Sequence, residues 1–146
     1  MHSYLLPGRP WKASGSYYDE NGRAFELIGQ SQATQTGGEW VLNASMEVLF
    51  ETPVRFSNRY SIHLTDAEHT LSWTSFNPAL GQLSGTFSII GNSIISIYSS
   101  ENGTYSGSET LMQIDPTTYH NVGVAFHNGV RMSAWTALLK SEQPSV

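Results

Sequence analysis

An all-β fold, an antiparallel up-and-down β-barrel of roughly eight to ten strands, is what this sequence predicts. Three observations carry the prediction. Apolar and polar residues alternate over long stretches, most cleanly in Gln82-Leu83-Ser84-Gly85-Thr86-Phe87-Ser88-Ile89, where Leu83, Gly85, Phe87 and Ile89 fall at every second position. A period of two places them on one face of a strand. Short turn sequences such as Asn21-Gly22, Asn102-Gly103 and Asn128-Gly129 break the alternation at regular intervals. Nearly every connection is of hairpin length, whereas a Greek-key sandwich routes some strands through long crossings. No segment sustains a helical period, although Met132 to Leu139 comes nearest. A long sheet with one apolar face must curl around that face, and closure removes its exposed edges.

Residues 1–10 contain two prolines and read as an irregular arm leading into the first strand near Trp11. There Trp11, Ala13, Gly15 and Tyr17 share one face and Lys12, Ser14 and Ser16 the other. Asp19-Glu20-Asn21-Gly22 supplies a hairpin turn, because Asn-Gly readily takes the positive φ values that tight hairpins need. A second strand runs from Arg23 to about Ser31, and Gln32 to Gly38 reads as a polar loop. The longest alternating run follows, with Trp40, Leu42, Ala44, Met46, Val48 and Phe50 in phase. Pro53 ends it, since proline cannot donate to a central ladder.

In the fourth strand Phe56, Tyr60, Ile62 and Leu64 oppose Arg55, Ser57, Arg59, Ser61 and His63. The fifth, His69 to Phe76, has Leu71 and Trp73 in phase and ends at Asn77-Pro78-Ala79-Leu80. Gly81 to Ile90 pairs through Gly91-Asn92 with Ser93 to Ser100, where Ile94, Ile95 and Ile97 suggest burial on both faces. In the eighth strand Tyr105, Gly107, Glu109, Leu111 and Gln113 share a phase, and neither face is cleanly apolar. Asp115-Pro116 turns into Thr118 to Phe126, and Asn128-Gly129 into Val130 to Leu139. Residues 11–140 thus form one barrel domain, and residues 141–146 a polar tail.

The 146-residue chain suits one domain, able to bury roughly 70% of the surface its unfolded form exposes. It has no cysteine, which excludes a disulfide scaffold, a thiolate metal site and a cysteine nucleophile. Its N-terminus, Met1-His2-Ser3-Tyr4-Leu5-Leu6-Pro7, lacks the cationic start and apolar run of a signal peptide. A cytoplasmic location is the expectation, with no membrane span, since no stretch approaches ~20 apolar residues. A net charge of -5 and 13% charged residues argue against nucleic acid as a partner. The expected partner is a small hydrophobic or aromatic molecule, with a homodimer also admitted.

In a closed meander the inward face is the shared surface, so chemistry should come from polar residues in phase with apolar inward ones. Asn58 meets that condition on the Tyr60 face, and Glu109 meets it on the face of Tyr105 and Leu111. A carboxyl group in an apolar barrel has its charged form disfavoured, which suits general acid or base work. Tyr98, Tyr119 and His120 are further candidates whose strands do not announce which face is inside. Glu109, Asn58, Tyr119 and His120 make up the candidate catalytic set. The five histidines show no recognised zinc spacing, and no phosphate loop or nucleophile elbow is present, so neither metal nor cofactor is expected.

The segment Trp11-Lys12-Ala13-Ser14-Gly15-Ser16-Tyr17 and the meander spanning nearly the whole chain resemble lipocalin-like barrels of the calycin superfamily. Such barrels usually place the glycine two residues before the tryptophan, whereas Gly15 follows Trp11, and no C-terminal helix is evident. No binding motif therefore carries over by residue. The resemblance implies a binding protein enclosing its ligand among Trp40, Tyr60, Trp73, Phe87, Tyr98, Tyr105 and Trp135. A cofactor-free cyclase or isomerase of small-molecule biosynthesis is the alternative, and a filled barrel acting as an interaction domain is a third.

Overall fold

A computed structural model describes residues 1–141, so residues 142–146 of the expected tail lie outside the described residues. The chain forms β1 (Pro10–Tyr18), β2 (Ala24–Thr36), β3 (Glu39–Val48), β4 (Val54–Leu64), β5 (Thr70–Asn77), β6 (Gly81–Ile90), β7 (Ser93–Ser100), β8 (Tyr105–Asp115), β9 (Thr118–His127) and β10 (Val130–Ser141). Each strand pairs antiparallel with its sequence neighbours, and β1 pairs with β10 from Trp11↔Ser141 to Tyr18↔Ala134. The result is one closed barrel, and the described residues contain no helix.

Alternation determines which side chains enter the barrel. Leu83 and Phe87 of β6 are buried, as are Trp11 of β1 and Ile62 of β4. Asn128 and Gly129 both take positive φ, 51° and 79°, in the two-residue turn between β9 and β10. Gly37 and Gly38 do the same between β2 and β3.

That second turn corrects the expected polar loop over residues 32–38, because β2 continues through Thr36. Ala33 is fully buried opposite Leu42, while Gln32 and Thr34 occupy the solvent phase, where polar side chains suit a strand as well as a loop. In β7 the inward residues are Ile94, Ser96, Tyr98 and Ser100, whereas on the other face Ile95 is half-buried and Ile97 is 64% exposed, so full burial on both faces does not occur. β-Branched side chains favour strands on either face, and the isoleucines alone could not distinguish them. Leu64 is likewise exposed, at the far end of β4.

Residues before β1 close one end of the barrel. Tyr4 and Leu5 are buried there with Trp11, Ile94, Tyr119 and Leu139. The Tyr4 hydroxyl donates to Ser31 Oγ at 2.8 Å, and Trp40 Nε1 donates to the Leu5 carbonyl at 3.2 Å. Gly8 N–H reaches the Ala33 carbonyl at 2.8 Å. The buried Tyr119 hydroxyl accepts from Ser3 N–H at 3.0 Å and meets His2 Nδ1 at 2.8 Å. His2 Nε2 lies 2.9 Å from the Gly91 carbonyl, which can only accept, so Nε2 carries a proton and, in the neutral ring, Nδ1 accepts from Tyr119.

Tyr119→Phe removes the bonds to His2 and Ser3 and a longer one from Tyr4 N–H at 3.4 Å, leaving both backbone N–H groups without that acceptor. A loss of about 1–2 kcal/mol in urea unfolding is expected, together with faster amide exchange at Ser3.

Candidate ligand-binding cavity

A cavity of about 400 Å³ lies inside the barrel, above Tyr4 and Leu139 at the sealed end. Its lining reaches Phe56, Leu80 and Met132 at the opposite end, where Phe56 is 36% exposed, and this end forms the mouth. The volume falls in the range of roughly 300–1,000 Å³ typical of small-molecule sites.

Aromatic rings form much of the wall. Trp73 meets Tyr60 edge-on at 4.8 Å and lies 6.0 Å from Phe87 and 5.8 Å from Tyr98. Its Nε1 donates to Ser96 Oγ at 3.1 Å, so the buried indole is satisfied. Close packing depends on glycines in the inward phase. A Cβ at Gly107 would overlap the Tyr98 ring, and one at Gly123 would overlap the Trp135 indole. These glycines let the rings lie against bare backbone.

Glu109 is the polar centre. Asn121 Nδ2 donates to its Oε1 at 2.8 Å and to the Thr110 carbonyl at 3.1 Å, while Trp135 Nε1 donates to Asn121 Oδ1 at 3.0 Å. This chain orients the carboxyl group from two neighbouring strands, β9 and β10. The barrel wall shields Glu109 from bulk solvent, and the surface it retains belongs to the cavity lining. Burial pushes its pKa up from the ordinary carboxyl value, partly offset by the Asn121 bond and the nearby Trp135 N–H. Burial first and the nearby Glu109 charge second raise Tyr98 to about 12 and Tyr60 well above its usual range. Those hydroxyls therefore stay neutral. Among the described residues the one ion pair is Arg59–Glu39, on the surface, and no cation is paired with Glu109.

Asn58 lines the cavity nearer the mouth, where its Oδ1 accepts from Asn77 Nδ2 at 3.1 Å. Asn77 Oδ1 in turn accepts from Ala79 and Leu80 N–H, so the β5–β6 turn holds Asn58 in place.

Of the residues singled out in the sequence, Asn58, Tyr60, Trp73, Phe87, Tyr98, Glu109 and Trp135 line this one cavity. The others lie elsewhere. Trp40 packs at the sealed end, Tyr105 stacks on His127 at 4.9 Å, and Tyr119 holds the N-terminal segment. His120 falls in the outward phase of β9, with Nε2 3.0 Å from Thr136 Oγ1. Gln113 points inward but donates to Ser3 Oγ at 3.4 Å.

Sequence reasoning missed Asn121 and Ser96. In β9 the two valines, Val122 and Val124, face outward while Gly123 and Ala125 face inward, so the apolar residues advertise the wrong face. Among the described residues no group of three or more His, Cys, Asp or Glu side chains is arranged to hold a metal ion. Among the described residues no helix is long and apolar enough to cross a membrane.

No family model matches the chain, and no curated protein matches it in sequence. It is similar in structure to Rv2717c from M. tuberculosis, with a TM-score of 0.64 and 15% identity over 97% of this chain and 94% of that one. It is also similar to the S-type phycobiliprotein lyase CPES from Guillardia theta, with a TM-score of 0.62 and 9% identity over 94% of this chain and 88% of that one. At these identities the likeness is one of fold, and it agrees with the closed antiparallel barrel expected from the sequence.

A carboxyl group whose folded pKa is raised adds stability at pH values below its ordinary pKa and loses it as pH climbs through the folded value. Wild type should therefore lose stability relative to Glu109→Gln as pH rises above about 4.5, the ordinary value. Urea midpoints of the two proteins across a pH series check this, and a difference independent of pH would reject it.

Proposed function

We propose that the protein binds a small hydrophobic or aromatic organic molecule inside the barrel. The observation that carries this reading is the unfilled cavity, walled by Trp73, Phe87, Tyr60, Tyr98 and Trp135, with one oriented carboxyl group at its centre. Apolar walls with a few convergent polar groups characterise sites that enclose ligands. A barrel filled by its own side chains, serving as an interaction domain, would leave no such space. The structural likeness to a phycobiliprotein lyase is in keeping with a barrel that handles an organic group.

The uncharged fluorophore N-phenylnaphthylamine should bind wild type with enhanced, blue-shifted emission. Ala44 lines the cavity, and Ala44→Trp should fill part of it and weaken binding by at least about tenfold while circular dichroism stays unchanged. Absence of binding to wild type would count against the cavity as a ligand site. Native mass spectrometry of protein from its own host would then give the ligand's mass.

Glu109 favours a second reading, a cofactor-independent cyclase or isomerase. A desolvated carboxyl group with a raised pKa, fixed by Asn121, is suited to moving a proton on an enclosed substrate. On this reading Glu109→Gln lowers turnover by roughly 10²–10⁴-fold yet still binds N-phenylnaphthylamine. Unchanged turnover would remove Glu109 as the acid or base.

A further inference from the structure

The cavity lining has a one-sided charge. Among the side chains that form it, Glu109 is the one that can carry a full charge near neutral pH, and no Lys, Arg or His contributes. Its carboxyl group receives an amide N–H from Asn121 but no cation. The group is aimed into an enclosed, aromatic space, where a lone anion is poorly solvated.

From this arrangement we infer that the occupant carries a positively charged nitrogen that pairs with Glu109, so the ligand class is an amine attached to a hydrophobic or aromatic body. The inference rests on the cavity being a ligand site and adds the charge of what it takes. Two further features support it. The rings of Trp73, Tyr60 and Tyr98 that surround the space provide the π faces and hydroxyl oxygens that favour an ammonium group.

At the mouth, the β1–β2, β3–β4 and β7–β8 connections carry the carboxylates Asp19, Glu20, Glu51 and Glu101. The arginines at that end are engaged on the outer surface: Arg23 lies over the Phe25 ring at 5.2 Å, Arg55 donates to Ser45 Oγ at 3.3 Å and Arg131 reaches the Asp19 carbonyl at 3.5 Å. With a net charge of -5 on the chain, approach of a cation is favoured. A carboxylate or phosphate ligand would instead have to shed its water beside Glu109 with no positive group to receive it.

Three probes that differ mainly in their polar group test the inference: naphthylmethylamine, naphthylmethanol and naphthoate. The amine should bind wild type at least about tenfold tighter than either of the others, and Glu109→Gln should erase that preference while keeping affinity for the alcohol. Equal or tighter binding of naphthoate or the alcohol by wild type overturns the inference but leaves the cavity reading intact. Retention of the full amine preference in Glu109→Gln overturns Glu109 as the pairing group. If neither these three nor N-phenylnaphthylamine binds, the cavity reading fails and the charge inference falls with it. The wild-type ranking decides the question even if the variant does not fold.

Discussion

Closure of the sheet by the pairing of β1 with β10 is the constraint on which everything else rests. These strands come from opposite ends of the described chain, and their register runs without a break from Trp11↔Ser141 to Tyr18↔Ala134. Without this ladder the sheet would have two open edges, and its apolar face would have no opposite wall. Closure is also what brings Glu109 of β8, Tyr60 of β4 and Tyr4 within electrostatic reach of one another, although they lie far apart in sequence.

Packing inside that wall follows from a division of labour between small and large residues. Many inward positions hold Leu, Ile, Phe or Ala, but Gly107 and Gly123 hold nothing beyond the backbone, and a ring from another strand occupies the space each leaves. The Trp135 indole can then reach Asn121, and Asn121 can reach Glu109. The polar chain at the centre of the cavity is thus a consequence of missing side chains as much as of present ones. Such rings are held on several sides, which keeps the lining ordered without filling the centre.

Much of this could be read in the sequence, and the failures have physical causes. Strand number and connectivity were legible because the period-two pattern and the Asn-Gly turns are local signals, the first clearest in β6 and the second at Asn128-Gly129 between β9 and β10. Asn58 and Glu109 were found as polar residues in an inward phase, and both line the cavity. The end of β2 was missed because Gln32 and Thr34 meet solvent from a strand much as they would from a loop. Asn121 was hidden because β9 turns valines outward and small residues inward. Tyr119 is inward, but its partners lie in the segment before β1, a tertiary contact that no local pattern reports.

That segment gives the barrel a plugged base. With Tyr4, Leu5 and Trp11 packed across it, the described residues leave the cavity one doorway, and a molecule bound as proposed must back out along the path it took in. Two molecules cannot pass in procession, so a new occupant waits until the old one has left. On the proposed ligand-binding reading, the barrel is a berth for one passenger at a time rather than a conduit. Whatever part of that passenger enters last remains nearest the doorway, within reach of anything waiting outside.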